Sequence, residues 1–489
     1  MGYLENLKEE SSLTKTLNGA TAYTNTGSDC LDLFSSIGIM RNWDEQDIID
    51  KWDKAWAEDE LTALKILFYA RDIRGGLGER RVFRVILRHL ALTEPGIVSY
   101  NLSLIPEYGR YDDVLVLLGI PGLQYDVSNF LFNSAEDTET LCAKWLPSIN
   151  ASSSKTIEQA KMLARHWGMS DEEYRHWLTE KRKELNILES KLVVKDYTFD
   201  YSKQPSKAML KYRKAFMRND EERYCAYLDS VIEGKQKINT KTLMPYEITN
   251  KAYAAQVSVH RDKEELKALD VMWNNLPDYT RGENALVVMD GSASMTWSIT
   301  RPLPIDIASS LAIYFAEKNK GYFHNYFMTF SEHPRLVEIK GKDIGAKVEY
   351  CRSYYECWNT NLEKTFKVLL GAAVKNNVPQ EELPKTLYII SDMEFDEAAE
   401  HPGKTVFQSA KKMYEDAGYE LPAVVFWYVS KLSEQVPVRE DERGVVLVSG
   451  CSPTVFKQVI SNEMNPYEYM RKVVYAERYD PIEIPDSRG

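Results

Sequence analysis

Residues 286–295 read Leu-Val-Val-Met-Asp-Gly-Ser-Ala-Ser-Met, an apolar run that stops at an acid followed by two serines. A short continuous apolar run fits a strand buried on both faces, as in a parallel sheet. Ala285–Met289 is therefore a predicted strand, with Asp290, Ser292 and Ser294 at its carboxyl end. One carboxylate and two hydroxyls delivered there make a hard-oxygen site. It suits Mg²⁺ or Mn²⁺, which keep open positions for water or a partner's carboxylate. The same residues also suit a plain strand-to-helix turn, with Ser292 or Ser294 as a helix cap.

Two later segments extend the pattern. Trp358-Asn359-Thr360-Asn361-Leu362 precedes a helical stretch, and Thr386–Ser391 is a second apolar strand running into Asp392. Together with Asp-x-Ser-x-Ser, this order resembles the metal-ion-dependent adhesion site (MIDAS) of von Willebrand factor A domains. The resemblance implies that Asp290, Ser292, Ser294, Thr360 and Asp392 ligate Mg²⁺ (or Mn²⁺), with an open position for an acidic residue of a protein partner. One departure stands out. The family's last strand usually runs into Asp-Gly, whereas Asp392 is followed by Met393-Glu394.

From Asn284 onward, strand and helix patterns alternate. Further strand candidates are Tyr322–Phe330, Leu387–Ile390, Ala423–Val429 and Gly444–Val448. Between the first two strands, Ile305, Ala308, Ala312 and Phe315 form one apolar helical stripe. Apolar strands alternating with helices imply a doubly wound α/β domain, whose sites open at the carboxyl ends of the strands. The preceding residues read mostly as amphipathic helices joined by short polar turns, in the manner of a HEAT-like repeat solenoid or ring. The expected organisation is α + α/β, with an α-helical domain over 1–280 and the A-like domain, with its carboxyl-terminal extension, over 281–489.

Composition narrows the function. The chain carries a net charge of −12, which argues against wholesale coating of nucleic acid but leaves room for a local basic surface. Its six cysteines are scattered without zinc spacing, as expected for buried thiols in a reducing compartment. No apolar run reaches the roughly 18–20 residues of a membrane helix, so a soluble, cytoplasmic protein is expected. The seven histidines are dispersed, with no HExxH, so no enzymatic activity is expected. Asp392, Glu394 and Asp396 with Asp290 would suit a two-metal nuclease, but the serines and Thr360 fit a single ion better.

Further blocks run through both halves of the chain. Leu17–Ala20, Thr26-Gly27, Leu31–Phe34, Arg71–Arg80, Ile105–Asp113, Ala143–Pro147 and Val448–Pro453 resemble a microbial and viral family of Ro-like proteins. Helices followed by an A domain is the layout of the TROVE/Ro proteins. That resemblance implies a ring of helices capturing small structured or misfolded RNA, without catalysis. Two basic stretches could serve it. Residues 71–88 hold six arginines against two acids, with Arg81, Arg84 and Arg88 at helical spacing near Arg74. Lys207, Lys211, Lys214 and Arg218 align in the same way. Such stripes could concentrate phosphate contacts, or they could be ordinary solvated or acid-paired helix faces. The alternative is a MIDAS-dependent protein–protein adaptor, for example to an ATPase, without RNA. A vestigial ion site that only braces its loops is a third possibility.

Overall fold

The computed structural model describes residues 12–485 apart from 260–261, 281, 283, 298–300, 332, 356–360, 398–403, 432–433 and 458–460. The chain forms two compact units, and neither is a contiguous half. One contains the chain up to Asn42 together with Pro205–Met217 and Glu222–Val473; the other contains Trp43–Gln204, Arg218–Glu221 and Val474–Gly489. The amino-terminal segment joins the sheet through hydrogen bonds, and the carboxyl-terminal tail joins the helices.

The first unit is built on a sheet of six strands: β3 (Ala285–Asp290), β4 (Tyr326–Phe330), β5 (Leu336–Glu338), β6 (Thr386–Ser391), β7 (Ala423–Tyr428) and β8 (Val445–Ser449). An amino-terminal hairpin, β1 (Leu13–Lys15) and β2 (Thr21–Tyr23), precedes them. Across the sheet the order is β5-β4-β3-β6-β7-β8. All pairs are parallel except β4–β5, where the edge strand runs antiparallel. Every residue of β3, β6, β7 and β8 is buried, as continuous apolar runs require when both faces are covered.

Alternation sorts the side chains. Leu286, Val288, Leu387, Ile389, Val424, Phe426, Val445 and Leu447 share one core with Leu362, Phe366, Phe407 and Ala410 of the helices Leu362–Asn376 and Val406–Asp416. On the other face, Tyr388 and Trp427 pack against Phe456, which also meets Phe315 of the helix Pro304–Lys318 with ring centroids 4.8 Å apart. Full burial of each large aliphatic side chain contributes about 1.5–3 kcal/mol, so this two-faced core fixes the strand ends firmly. The chain leaves β3 for β4 and β5 on one side, then returns to β6 on the other. The carboxyl ends of β3 and β6 thus flank the topological switch point, where doubly wound sheets open a crevice. The expected strand over Tyr322–Phe330 begins only at Tyr326, because Asn325 takes a left-handed φ of 67° that a strand cannot contain.

In the second unit, the helices Glu45–Glu58, Glu60–Arg71 and Arg81–Thr93 lead a series whose lengths run from four residues (Ile105–Tyr108) to fourteen (Asp171–Glu184). Helix Arg81–Thr93 buries Val82, Phe83, Ile86, Leu87 and Leu90 along one stripe. Asp171–Glu184 starts at a capping box in which the Ser170 hydroxyl accepts from Glu173 N and Glu173 accepts from Ser170 N. The tail packs into this unit with Tyr479 and Ile482 buried. There Arg478 pairs with buried Asp72, donating from Nη2 to Oδ1 at 2.8 Å, and the Tyr108 hydroxyl donates to the Arg478 carbonyl. Among the described residues no helix is long and apolar enough to cross a membrane.

Candidate metal centre

Strands β3 and β6 are adjacent and in register from Ala285↔Thr386 to Met289↔Ile390. Their ends therefore place Asp290 and Asp392 side by side. Asp290 is fully buried. Its Oδ1 accepts from the Ser292 amide at 2.9 Å and its Oδ2 from the Ser391 hydroxyl at 2.6 Å. The Ser292 and Ser294 hydroxyls lie 3.0 Å apart, and Ser294 in turn hydrogen-bonds Asp392. Four of the five predicted ligands thus converge. Thr360 lies outside the described residues, two positions before the start of helix Leu362–Asn376.

The electrostatics of the cluster are tense. Burial, and then the charge of Asp392, push the Asp290 carboxyl up to about 7. Burial likewise raises Asp392. The Asp392 Oδ2 atom is buried without a hydrogen-bond partner among the described residues. Two dry acids side by side hold a proton between them or share a cation, because two bare charges in low dielectric repel strongly. Among the described residues no group of three or more His, Cys, Asp and Glu converges as a metal site, so hydroxyls supply half of the donor set here. One of the acids that a two-metal nuclease would need is turned elsewhere: the Glu394 carboxylate accepts from the Leu17 amide at 2.8 Å.

The Met393 that departs from the A-domain pattern has a φ of +66°, the region a glycine would occupy freely. Holding a side chain there costs about 1–2 kcal/mol. Met393 is, however, 2% exposed and packs into the core that also holds Phe395 and Val406. Removing a buried methionine side chain costs about 2–5 kcal/mol, so burial outweighs strain. Met393→Gly is therefore expected to lower stability by about 1–3 kcal/mol, as read by urea denaturation. A gain in stability would show that strain dominates.

The basic residues have a different setting. Arg84 pairs with Asp112 at 2.7 Å and Asp113 at 2.6 Å, Arg74 pairs with Glu107, and Arg81 reaches the Trp43 carbonyl at 2.7 Å. Lys207 pairs with Glu247, Lys214 with Glu265 at 2.8 Å, and the Lys211 ammonium lies 4.7 Å from the Tyr212 ring centre. Arg88 and Arg218 are exposed. The Arg71–Arg80 and Ile105–Asp113 blocks prove to be one framework. Arg71, 2% exposed, donates from Nε to Asp113 at 2.7 Å. A Cβ on Gly109 would lie 2.5 Å from Asp113 Oδ2, and one on Gly76 only 2.0 Å from the Tyr69 carbonyl oxygen. Both glycines are required by close approach.

Compared with known proteins, residues 16–118 and 122–285 match the family described as domain of unknown function DUF2828, which is more than half of the chain. The chain belongs to the DUF2828 family. Residues 284–480 of this DUF2828 protein match a second domain of unknown function, DUF7788, so the two matches meet beside β3. A relative, uncharacterized protein L728 of Acanthamoeba polyphaga mimivirus, is 28% identical over 96% of this chain and 89% of its own length. Among solved structures, the Ro (RSR) protein of Deinococcus radiodurans is similar with a TM-score of 0.49 and 16% identity, over 83% of this chain and 92% of that one. A likeness at that level specifies no function. Two residues that frame the candidate site carry little signal in the sequence. Ser391 was signalled only as a hydroxyl directly before the strand-end acid. Glu394 was counted among the acids, but nothing local shows that it turns inward.

Proposed function

We propose that this protein is a non-catalytic, divalent-cation-dependent binding protein of the von Willebrand A kind. Asp290, Ser292, Ser294 and Asp392 would hold Mg²⁺ (or Mn²⁺) at the carboxyl edge of the sheet. The ion would supply an open coordination position for an acidic residue of a protein partner. The observation that carries the reading is the buried Oδ2 of Asp392, without a partner among the described residues, beside the raised carboxyl of Asp290. A small cation stabilises both charges at once and satisfies that oxygen. Hard oxygens without nitrogen or sulfur favour Mg²⁺ or Mn²⁺ over zinc. Titration calorimetry of the full chain with Mg²⁺ and Mn²⁺ tests the reading. Binding that Asp290→Ala abolishes is expected, and an unaltered protein that takes up neither ion would overturn it.

A second reading, RNA capture on a HEAT-like helical ring, rests on Arg88 and Arg218, which are exposed. The other candidate cations already engage acids, a backbone carbonyl or a ring within the protein, so phosphate contacts would have to displace those partners. Crosslinked RNA recovered from the unaltered protein, and reduced at least severalfold by Arg88→Glu together with Arg218→Glu, would favour this reading. A 260 to 280 nm absorbance ratio of pure protein after low-salt purification, with no crosslinked RNA, would remove it.

A further inference from the structure

The loop that leaves Asp392 is not held by the sheet alone. The Glu394 amide donates to Asp392 Oδ1 at 3.2 Å, so this residue orients the candidate ligand directly. Glu394 is in turn gripped from the far end of the chain. Its Oε2 accepts from Leu17 N at 2.8 Å, its carbonyl from Asn18 Nδ2 at 2.7 Å, and its Oε1 from Gln435 Nε2 at 3.0 Å. The Thr16 hydroxyl donates to the Phe395 carbonyl at 2.7 Å, and Lys15 pairs with Glu397 at 2.7 Å. The hairpin β1–β2 that carries these donors is itself fastened: Tyr23 and Val436 exchange two backbone hydrogen bonds of 2.8 Å.

We infer that Glu394 is a positioning residue and that the amino-terminal hairpin is the strap that sets Asp392 for the ion. Resting on the cation reading above, this adds that metal affinity is controlled by residues 15–18, about 375 positions from the ligand they position. It also accounts for the Met393-Glu394 pair. Where the A-domain pattern has a free glycine, this chain has a buried methionine that anchors the loop and a glutamate that ties it down. Outer-sphere partners of this kind orient the ligand, and their loss typically lowers metal affinity by about 10–100-fold.

Asn18 is exposed, so its removal does not threaten the fold. Glu394→Gln is the conservative rescue: its amide oxygen accepts from Leu17, and its NH₂ meets the Gln435 Oε1, which has no partner among the described residues, once the Gln435 amide turns over. Mg²⁺ titration of the full chain, with thermal midpoints recorded in EDTA, separates positioning from general loss of stability. Asn18→Ala and Glu394→Ala are expected to weaken Mg²⁺ binding about tenfold. Glu394→Gln is expected to stay within about twofold, and Asn18→Ala to leave the EDTA midpoint unchanged. Equal Mg²⁺ affinity in the unaltered protein, Asn18→Ala and Glu394→Ala overturns the strap alone. Absence of Mg²⁺ binding by the unaltered protein overturns both the strap and the reading beneath it.

Discussion

Asp290→Asn is expected to make the Mg²⁺-free protein more stable at pH 8 while abolishing any stabilisation by Mg²⁺. The sign follows from proton linkage. The folded carboxyl is raised from 3.8 to about 7 by burial and by Asp392. Between those values the native state binds more protons than the unfolded chain, so stability falls as pH rises through the window. By pH 8 the native state holds the buried Asp290 charge beside Asp392 with no proton on Asp290 to relieve it. Asparagine removes one charge and keeps the shape. Its Oδ1 still accepts from the Ser292 amide, and its NH₂ meets the Ser391 hydroxyl, which has a lone pair to give. Each tenfold difference in proton affinity between the folded and unfolded chain is worth about 1.4 kcal/mol, so the gain at pH 8 is on the order of a few kcal/mol, against little change near pH 4. With Mg²⁺ present the order reverses, because the ion stabilises only the chain that keeps Asp290 charged. Thermal unfolding at pH 4.5 and pH 8, each in EDTA and in Mg²⁺, reads all four corners. A variant less stable than the unaltered protein in EDTA at pH 8 would show that the two acids do not repel as the geometry requires.

That experiment concerns the part of the molecule the sequence announces most clearly. Strands β3 and β6 are legible because a strand buried on both faces must be apolar at every position, and their terminal acids then stand out. The hairpin β1–β2 is not legible. Its strands are three residues each, and its tip is fixed by hydrogen bonds to residues 394–397 that no local pattern encodes. The tail hides for the same reason: Tyr479 and Ile482 are buried by helices some 400 positions earlier. Charge windows mislead in a related way. Residues 71–88 look basic because the count stops before Glu107, Asp112 and Asp113, which take up Arg74 and Arg84. A stripe paired across the fold and a stripe bare to solvent have the same local sequence.

The same framework sets the second large effect. Asp113→Ala is expected to cost the helical unit about 3–5 kcal/mol, the range for breaking a buried ion pair from one side. Asp113 is fully buried. It accepts from Arg71 Nε at 2.7 Å, Arg84 Nε at 2.6 Å and the Arg110 amide at 3.0 Å. Its loss leaves Arg71, itself 2% exposed, charged and without its carboxylate. A guanidinium cannot shed its proton to escape, so the desolvation cost stands in full. Against a total stability of about 5–15 kcal/mol for a domain, that is about a fifth or more of what holds the helices together. Arg88→Ala, on an exposed face of the same helix as Arg84, should stay within about 0.5 kcal/mol. Replacing both partners, Arg71→Met with Asp113→Leu, removes the orphaned charge and should recover most of the loss, as apolar replacements of buried pairs do elsewhere. Guanidinium denaturation of the four proteins measures these differences. If Asp113→Ala costs less than about 1 kcal/mol, or the double replacement is worse than the single, the framework is not the ion-paired core described. The comparison also bears on the RNA reading: any RNA lost on mutating Arg84 would then have to be separated from loss of the fold, whereas RNA lost on mutating Arg88 would not.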